Sequence, residues 1–561
     1  MKKKLLLFGS VIAMAICILL LLSNIRDNIS YHTYVYEPDI PDAKSIVIEN
    51  CKLLCVGSDF LDLQKKDGSV MRYKRAQNME IFTDESEKQY ADLSDLQIGN
   101  NQATFVMDRG HIITKAYCGE KQILDTVRVL IQSSDYGGRY HDELVFTPAC
   151  DMRIISGRKH TICKSGKPIR ITPGSSFFMT DHIVLTPQNP DAVTAFPNIR
   201  RAIGAAYYSG SFEVIRSEEG LILVNEIPLE QYLYRVVPSE MPASSPIEAL
   251  KAQAICARTY AGMHILASSL RAYGAHMDDS TSFQVYGNIQ QTDATNRAVL
   301  ETKGNMLFAG DALCETYFYS TSCGYSSGID VWHVDHPQNY TYLKAGSISR
   351  TVLCTPQALS DETVFRNYLS APHVQDYEVD DPFYRWSYTT KVEHSLLLTK
   401  VNKRKEADEE MIIIAAKDGK VLQSISALEV GAFEGITVTK RLSGGAMDEI
   451  EISYENATIT VIGERNIREV LVGTDPDIRL NHDVKSSVAS MLPSAYAYID
   501  MIYREDQISG YRVVGGGYGH GIGMSQNAAK HMAEDGMNCE QILMSFYEGK
   551  LREITSEKGN Q

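Results

Sequence analysis

The fold of this chain is decided by one stretch, Leu221 to Ala261, which reads LILVNEIPLEQYLYRVVPSEMPASSPIEALKAQAICARTYA. It predicts a strand, a turn and a helix. Leu221 to Val224 is short, apolar and β-prone, as expected of a buried strand. Pro238 and Pro242 bracket Glu240, and proline restricts both its own backbone and that of the residue before it. Glu240 is therefore predicted to lie in a rigid, non-helical turn.

The second half of the stretch predicts a helix that begins at a capping box. Ser245 and Glu248 have the spacing of that motif, with Pro246 at the first helical position, so the helix should run from Pro246 to about Ala267. Lys251 and Arg258 lie on one helix face, about two turns apart. The sequence therefore predicts one rigid carboxylate beside a helix that presents two cations. A lone glutamate in a turn is usually a solvated surface group, so the pattern alone does not establish a site.

Two blocks of the stretch resemble the central motif of the stage II sporulation protein D family of peptidoglycan lytic transglycosylases. They are VPSEMP at 237–242 and EALKAQAICARTYA at 248–261. The resemblance implies that Glu240 is the catalytic acid. It also assigns to the substrate groove four residues of the helix: Lys251, Gln253, Arg258 and Tyr260.

A glycine-rich segment near the C-terminus forms a second constellation. It reads GGGYGHGIG at 515–523 and continues MSQNAA, with Ser525 as the predicted N-cap of a helix that ends at Asp535-Gly536. A glycine loop that enters a helix N-terminus can offer free N–H groups to a polar ligand. The segment resembles the closing motif of the same family, GHGxGMSQxGA, except that NAA at 527–529 replaces its aromatic-glycine-alanine ending. The resemblance implies that His520, Ser525 and Gln526 bind substrate or shape the groove.

Length and charge limit the class of protein. The chain has 561 residues, a formal net charge of −15 and an isoelectric point near 5.5. This length suits about three to four domains, and the acidic balance argues against a nucleic-acid-binding protein. The sequence contains no Walker loop, and the glycine-rich segment does not have the spacing of a dinucleotide-binding motif.

The N-terminus predicts a membrane anchor. Lys2 to Lys4 precede an uncharged, apolar run from Leu5 to Leu22. A cleaved signal peptide begins in the same way, but no small-residue cleavage pattern follows the run, so we favour an uncleaved anchor with the bulk of the chain outside the cytoplasm. Residues 1–25 are the predicted anchor, and residues 26–43 are a polar stalk.

The remaining patterns predict an α+β protein. Short alternating segments separated by turn signals indicate a small all-β module over residues 44–122. Strands resume at Thr126 to Ile131, and mixed strand and helix patterns continue from there. The resemblance implies one large mixed α/β catalytic domain with a groove over residues 126–550.

Cysteine and histidine residues raise the question of a metal. The chain has eleven cysteines. Cys323, His333, His336 and Cys354 are of the types that bind zinc, and some family members carry a structural zinc in this region. Tyr319 stands where those members have a histidine. A structural zinc, a disulfide at Cys323 and free thiols all remain open, and the expected reaction requires no cofactor.

The resemblance implies an enzyme of sporulation that cleaves the glycan strands of peptidoglycan after their peptide stems have been removed. It also implies an amidase partner, stage II sporulation protein P, and a place between the mother-cell and forespore membranes during engulfment. With one carboxylate, Glu240, the expected products end in 1,6-anhydro-N-acetylmuramic acid, because hydrolysis usually needs two carboxylates. The alternative is a non-catalytic amidase enhancer that binds glycan or a cell-wall amidase.

Overall fold

The computed structural model describes residues 45–287, 289–371, 373–488 and 490–554. These residues form two compact units: the first comprises 45–242 and 261–296, and the second comprises 243–260 and 297–554. The predicted anchor (1–25) and stalk (26–43) lie outside the described residues. No helix within the described ranges is both long enough and apolar enough to cross a membrane.

The first unit begins with a six-stranded sheet. Its strands are β1 (Ile46–Ile48), β2 (Lys52–Val56), β3 (Phe60–Gln64), β4 (Val70–Phe82), β5 (Thr104–Met107) and β6 (Ile112–Tyr117). They follow the order β1-β5-β6-β4-β3-β2, in which β4 and β6 are parallel and the other neighbours antiparallel. Leu53, Leu63 and Phe105 are fully buried in its core. The sheet occupies most of the predicted all-β module.

Two further sheets complete the first unit. Their strands are β7 (Thr126–Ile131), β8 (Leu144–Pro148), β9 (Met152–Ser156), β10 (Lys159–Cys163), β11 (Ile169–Ile171), β12 (His182–Pro187), β13 (Thr194–Arg201), β14 (Gly204–Tyr208), β15 (Ser211–Arg216), β16 (Leu221–Pro228) and β17 (Met277–Asp278). One sheet has the order β10-β9-β12-β15-β16-β7-β17 and the other β11-β8-β13-β14. Leu221 to Val224 are fully buried in β16, between β15 and β7. The predicted buried strand is confirmed.

Buried charges connect the six-stranded and seven-stranded sheets. Arg72 on β4 donates two hydrogen bonds of 2.7 and 2.6 Å to Asp62 on β3. His182 on β12 lies 2.9 Å from the same carboxylate and 2.5 Å from that of Glu213 on β15. Breaking a buried ion pair is strongly destabilising, so the two sheets depend on each other. This explains why the boundary predicted near residues 122–126 falls inside one compact unit.

Three helices follow β16 in the chain: α1 (Leu229–Glu240), α2 (Ile247–Ala267) and α3 (Asp293–Glu301). The prediction for α2 is confirmed, whereas the turn predicted around Glu240 is wrong, because Glu240 is the last residue of α1. The buried positions of α1 recur with helical period: Leu229, Tyr232, Leu233, Val236 and Val237. Pro238 is tolerated close to the helix end, where its missing N–H costs a single hydrogen bond.

The second unit contains strands and helices in mixed order. They are β18 (Asn305–Ala309), β19 (Ala312–Leu313), β20 (Phe318–Tyr319), α4 (Glu362–Ser370), β21 (Trp386–Lys391), α5 (His394–Ala407), β22 (Ile412–Ala416), β23 (Val421–Leu422), β24 (Phe433–Arg441), β25 (Met447–Tyr454), β26 (Ala457–Ile462), α6 (Glu464–Val470), β27 (Asp477–Leu480), β28 (Lys485–Ser487), β29 (Ala497–Arg504), β30 (Gln507–Gly515), β31 (Met524–Ser525), α7 (Gln526–Glu534), α8 (Cys539–Met544) and β32 (Lys550–Glu553). Two five-stranded sheets have the orders β28-β27-β21-β30-β29 and β23-β22-β26-β25-β24, and a small sheet has the order β19-β18-β32. β20 and β31 pair in parallel. The α+β class is confirmed.

Candidate active site

Glu240 is the carboxylate that the sequence singles out, and it ends helix α1. The chain leaves the helix at Met241, which is extended with φ −133° and ψ 133° and donates its N–H to the Val237 carbonyl. An extended conformation is expected for Met241 because Pro242 follows it. The glutamate is thus held by a helix end and an extended proline-linked segment.

The carboxyl group of Glu240 is half-buried and contacts a loop of the same unit. The backbone N–H of Val285 donates a 2.6 Å hydrogen bond to Glu240 Oε1. Burial raises the pKa of Glu240 from 4.5 to about 7, and the hydrogen bond from Val285 opposes that rise. Desolvation outweighs the hydrogen bond because burial disfavours the charged form. Near neutral pH the carboxyl group therefore exists in both protonation states.

The loop that carries Val285 is anchored by its neighbour Tyr286. The Tyr286 backbone N–H donates to the Asp279 carbonyl at 3.2 Å, and its hydroxyl donates to Asn225 Oδ1 at 3.3 Å. Its fully buried ring packs against Tyr208 and Tyr232, with centroids 5.0 and 4.8 Å away. These contacts fix the N–H that reaches Glu240.

Two hydroxyl groups lie near the same loop. Ser239 Oγ donates to the Arg235 carbonyl at 2.6 Å and accepts the Gly287 N–H at 3.3 Å. A Cβ atom on Gly287 would be 3.5 Å from Ser239 Oγ and 3.6 Å from Tyr136 Oη, so the two hydroxyls flank this glycine. The pKa of Tyr136 is raised by burial and by the carboxylates of Asp279 and Glu240. No sequence motif marks Tyr136, which is distant from Glu240 in the chain.

Asp279 is the second carboxylate near Glu240, and its partners are other residues of the protein. Its side chain is fully buried, accepts the Gln132 N–H at 3.0 Å and is paired with Arg201. Burial raises its pKa to about 6, against the effect of Arg201. Asp279 therefore supports the fold around Glu240 and is not exposed to a ligand.

The predicted groove residues of α2 do not form a cationic face. Arg258 is fully buried, and its guanidinium donates to the Val299 carbonyl at 3.1 Å and the Asn305 carbonyl at 3.3 Å. Lys251 is more exposed but pairs with Glu248 and Glu301 at 2.9 and 2.7 Å. The prediction of two cations on one solvent-exposed face is wrong, because α2 is buried on most sides and such a helix has no single solvent-exposed face.

Gln253 and Tyr260 are also buried in the second unit. Gln253 is fully buried, and its Oε1 accepts a 3.3 Å hydrogen bond from Gln526 Nε2. Tyr260 is nearly buried and meets Tyr317 edge-to-face, with centroids 6.2 Å apart. The structure thus joins Gln253 of the helix motif to Gln526 of the glycine-rich motif. Their predicted contact with glycan remains a prediction.

His520 lies in an aromatic environment and is neutral. Burial lowers its pKa to about 4. Its Nδ1 accepts the Ile522 N–H at 3.1 Å, and its Nε2 donates to the Phe318 carbonyl at 3.1 Å. The ring contacts Trp332, with centroids 5.0 Å apart, and Tyr319, at 5.6 Å. These contacts let His520 hold the glycine-rich segment against β20.

Ser525 precedes helix α7 as predicted, but its hydroxyl does not cap the helix. It donates to Glu378 Oε1 at 2.6 Å instead. Glu378 is buried and also accepts hydrogen bonds from the N–H and hydroxyl of Ser322. Burial raises the pKa of Glu378 to about 7. The sequence did not single out Glu378, because nothing local to it marks a buried acid.

The four candidate zinc ligands are not brought together. Cys323 is buried, His333 lies 2.6 Å from Asp448, and the Cys354 sulfur contacts the hydroxyl of Tyr325 at 3.4 Å. Like them, His336 belongs to no group of three or more potential ligands within the described residues. Cys323 and Cys354 form no disulfide within the described residues. The suggested zinc set is therefore not formed.

Comparisons with known proteins identify two regions of the chain. Residues 217–308 match the model of a family described as Stage II sporulation protein. Residues 329–523 match a second model, described as a domain of unknown function. Glu240 and the predicted groove residues of α2 lie in the first match, and His520 lies in the second. The predicted family domain, residues 126–550, is therefore longer than the part of the chain that matches the family model, residues 217–308.

Three curated relatives align with parts of the chain. It is 31% identical over 318 residues to a protein of Bacillus subtilis (strain 168) named Amidase enhancer, covering 56% of this chain and 39% of the relative. It is 37% identical over 123 residues to Stage II sporulation protein D of the same organism, covering 19% of this chain and 36% of the relative. The protein of the same name in Bacillus amyloliquefaciens is 36% identical over 123 residues, covering 19% of this chain and 36% of the relative. The chain thus spans less than half the length of each of these relatives.

Proposed function

We propose that the chain is a lytic transglycosylase in which Glu240 is both general acid and general base, because residues 217–308, which include Glu240, match the Stage II sporulation protein family model. The proposed substrate is the glycan strand of peptidoglycan after removal of its peptide stems. The observation that supports this proposal is the half-buried Glu240 carboxyl, whose pKa of about 7 suits a proton donor near neutral pH.

The proposed reaction needs one carboxyl group. Protonated Glu240 gives its proton to the glycosidic oxygen as the bond from that oxygen to C1 of N-acetylmuramic acid breaks. The C6 hydroxyl of the same sugar then bonds to C1 and gives its proton to the Glu240 carboxylate. The acid is regenerated, no water is consumed, and the products are a shortened strand and a 1,6-anhydro end.

The surroundings of Glu240 favour this route over hydrolysis. A glycoside hydrolase usually places a second carboxylate near the scissile bond, to attack the sugar or activate water. Asp279, the carboxylate found beside the same loop, is fully buried and paired with Arg201. General acid–base assistance from one group contributes roughly 10²–10⁴-fold to the rate.

The second candidate function is enhancement of a cell-wall amidase. It is favoured by the alignment with the relative named Amidase enhancer, which covers more of this chain than the other relatives do. In this proposal the chain binds glycan or a sporulation amidase similar to stage II sporulation protein P, and Glu240 is not required. For both functions we propose an extracytoplasmic location with the N-terminus anchored in the membrane.

A digestion assay tests the proposal. Purified chain is incubated with peptide-free glycan strands, and strand length is followed by size-exclusion chromatography. We expect shortening by the wild type and a loss of at least about 100-fold in Glu240→Gln, since the amide cannot donate an acid proton. Glu219→Gln, at an exposed site of the same unit, is the matched control.

The same samples test the enhancer function. If neither wild type nor Glu240→Gln shortens strands, but both stimulate a purified amidase equally, the chain is an enhancer and the transglycosylase proposal is wrong.

A further inference from the structure

The first unit carries a basic surface around strand β10. Residues 152–180 contain six Lys or Arg residues and no Asp or Glu, although the whole chain has a formal net charge of −15. All six basic residues are exposed: Arg153, Arg158, Lys159, Lys164, Lys167 and Arg170. The sign of the charge on this surface is therefore opposite to that of the chain as a whole.

Most of this positive charge is not neutralised by the protein itself. Lys164 and Arg170 pair with Asp151 and Glu143, which lie outside the basic segment. In the part of the chain that the structure describes, the other four basic residues form no ion pair. A surface that concentrates unpaired charge of one sign attracts partners of the opposite sign. The basic surface therefore favours an anionic partner.

The turn between β9 and β10 lies against the loop that follows β11. Lys159 Nζ donates a 3.0 Å hydrogen bond to the Ser176 carbonyl. A Cβ atom on Gly157 would be 3.5 Å from the Cβ of Met179. Arg158 and Lys159 follow this glycine directly in the chain. The basic turn and Met179 therefore belong to one continuous surface.

Two apolar side chains protrude from the same surface. Ile162 is 62% exposed and Met179 is 60% exposed. Ile162 lies directly opposite Arg153 in the register of β10 and β9, so their side chains share one face of the sheet. A soluble anionic polymer would contact the cations but would gain little from these apolar groups. The interface of a bilayer accepts both, because phosphate groups there lie beside acyl chains.

We propose that the basic surface docks the first unit onto a membrane that contains anionic phospholipid. Arg153, Arg158 and Lys159 lie among the lipid phosphates, and Ile162 and Met179 enter the boundary between headgroups and acyl chains. The electrostatic part of this attraction is screened by salt, with a Debye length of about 8 Å at physiological ionic strength. The inference depends on neither of the two proposed functions.

Fluorescence quenching by lipid tests the proposal on the full chain. Met179→Trp places a probe on the basic surface. The vesicles contain a constant share of phosphatidylcholine brominated on its acyl chains, and phosphatidylglycerol replaces the unbrominated phosphatidylcholine. After subtraction of the signal from the two native tryptophans, quenching should increase with phosphatidylglycerol content and decrease with added salt. Tyr503→Trp, at a position 62% exposed in the second unit, should show no such dependence.

Charge variants in the Met179→Trp background test the role of the cations. Arg158→Gln combined with Lys159→Gln should lower the ratio of docked to undocked chain about 25-fold, because each basic residue near an anionic membrane contributes about fivefold. Lys88→Gln combined with Arg200→Gln removes the same charge from exposed positions outside the basic surface and should leave the ratio unchanged. Both pairs should unfold at the temperature of their parent, because the replaced side chains are exposed.

The proposal is overturned if the probe is quenched equally in vesicles without phosphatidylglycerol, or if Arg158→Gln with Lys159→Gln is quenched like its parent. It is also overturned if the probe is not quenched in any vesicle. In that case, binding of a soluble poly(glycerol phosphate) that is lost in the same paired variant would assign the surface to an anionic polymer.

Discussion

Replacing Glu240 with glutamine should stabilise the first unit, and only at higher pH. The folded-state pKa of Glu240 is about 7, against 4.5 for an ordinary glutamate. Because it is raised, the folded state holds a proton that the unfolded state loses between these values. The stability that this proton provides is complete below pH 4.5 and is lost as pH rises to about 7.

The magnitude follows from the size of that pKa difference. At 1.36 kcal/mol per pKa unit, the burial of the ionised carboxylate costs about 3 kcal/mol once the pH is well above 7. Glutamine does not ionise and avoids this cost. The free energy of unfolding of Glu240→Gln minus that of the wild type should therefore increase by about 3 kcal/mol between pH 4 and pH 8.5.

Urea denaturation at a series of pH values, monitored by far-UV circular dichroism, measures this difference. Glu219→Gln, which removes an exposed carboxylate of the same unit, provides the correction for the loss of one charge. If the free energies of unfolding of Glu240→Gln and the wild type differ by the same amount at pH 4 and pH 8.5, the pKa of Glu240 is not raised. The argument for Glu240 as an acid at neutral pH would then fail.

Three other predictions concern the same residues and their neighbours. Strand shortening by the wild type should decline about tenfold per pH unit above pH 7 as Glu240 loses its proton, which a pH–rate profile would show. Arg258→Ala should lower the free energy of unfolding by at least about 2 kcal/mol, because buried carbonyls lose their hydrogen-bond donors. Lys251→Ala should lower it by about 1 kcal/mol or less, because this lysine is paired near the surface. Chemical denaturation measures both values. Ser525→Ala should cost about 1–3 kcal/mol by removing a donor from buried Glu378, measured by thermal unfolding.

Each of these predictions can fail in a distinct way. A flat pH–rate profile across pH 7 would remove Glu240 as the titrating acid. An Arg258→Ala variant that is fully stable but binds glycan poorly would restore the groove role implied by the family resemblance. The same result for Ser525→Ala would show that its bond to Glu378 contributes little and that its hydroxyl serves the ligand.

Local pattern was sufficient to predict much of the backbone. The strand Thr126–Ile131 and the helix that ends at Ala267 have the predicted bounds to within a residue, because apolar periodicity and a capping box are local signals. The same periodicity is present in Leu229–Val237, whereas the prolines beside Glu240 predict a turn. Pro238 costs little near the last turn of the helix, so the apolar spacing is the stronger signal there.

Contacts between distant residues could not be predicted in this way. The seven-residue spacing of Lys251 and Arg258 correctly placed them on one helix face but could not show that later segments bury Arg258. The N–H of Val285 and the carboxyl of Glu378 reach their partners only through tertiary folding.

The ends of the digested glycan test the central claim most directly. Peptide-free strands are digested with the wild-type chain, and the new ends are identified by mass spectrometry. Intramolecular attack by the C6 hydroxyl with Glu240 as the single acid–base group predicts 1,6-anhydro-N-acetylmuramic acid ends, lighter by one water than hydrolytic ends, and none from Glu240→Gln. Reducing ends in their place, or anhydro ends that persist in Glu240→Gln, would contradict the account.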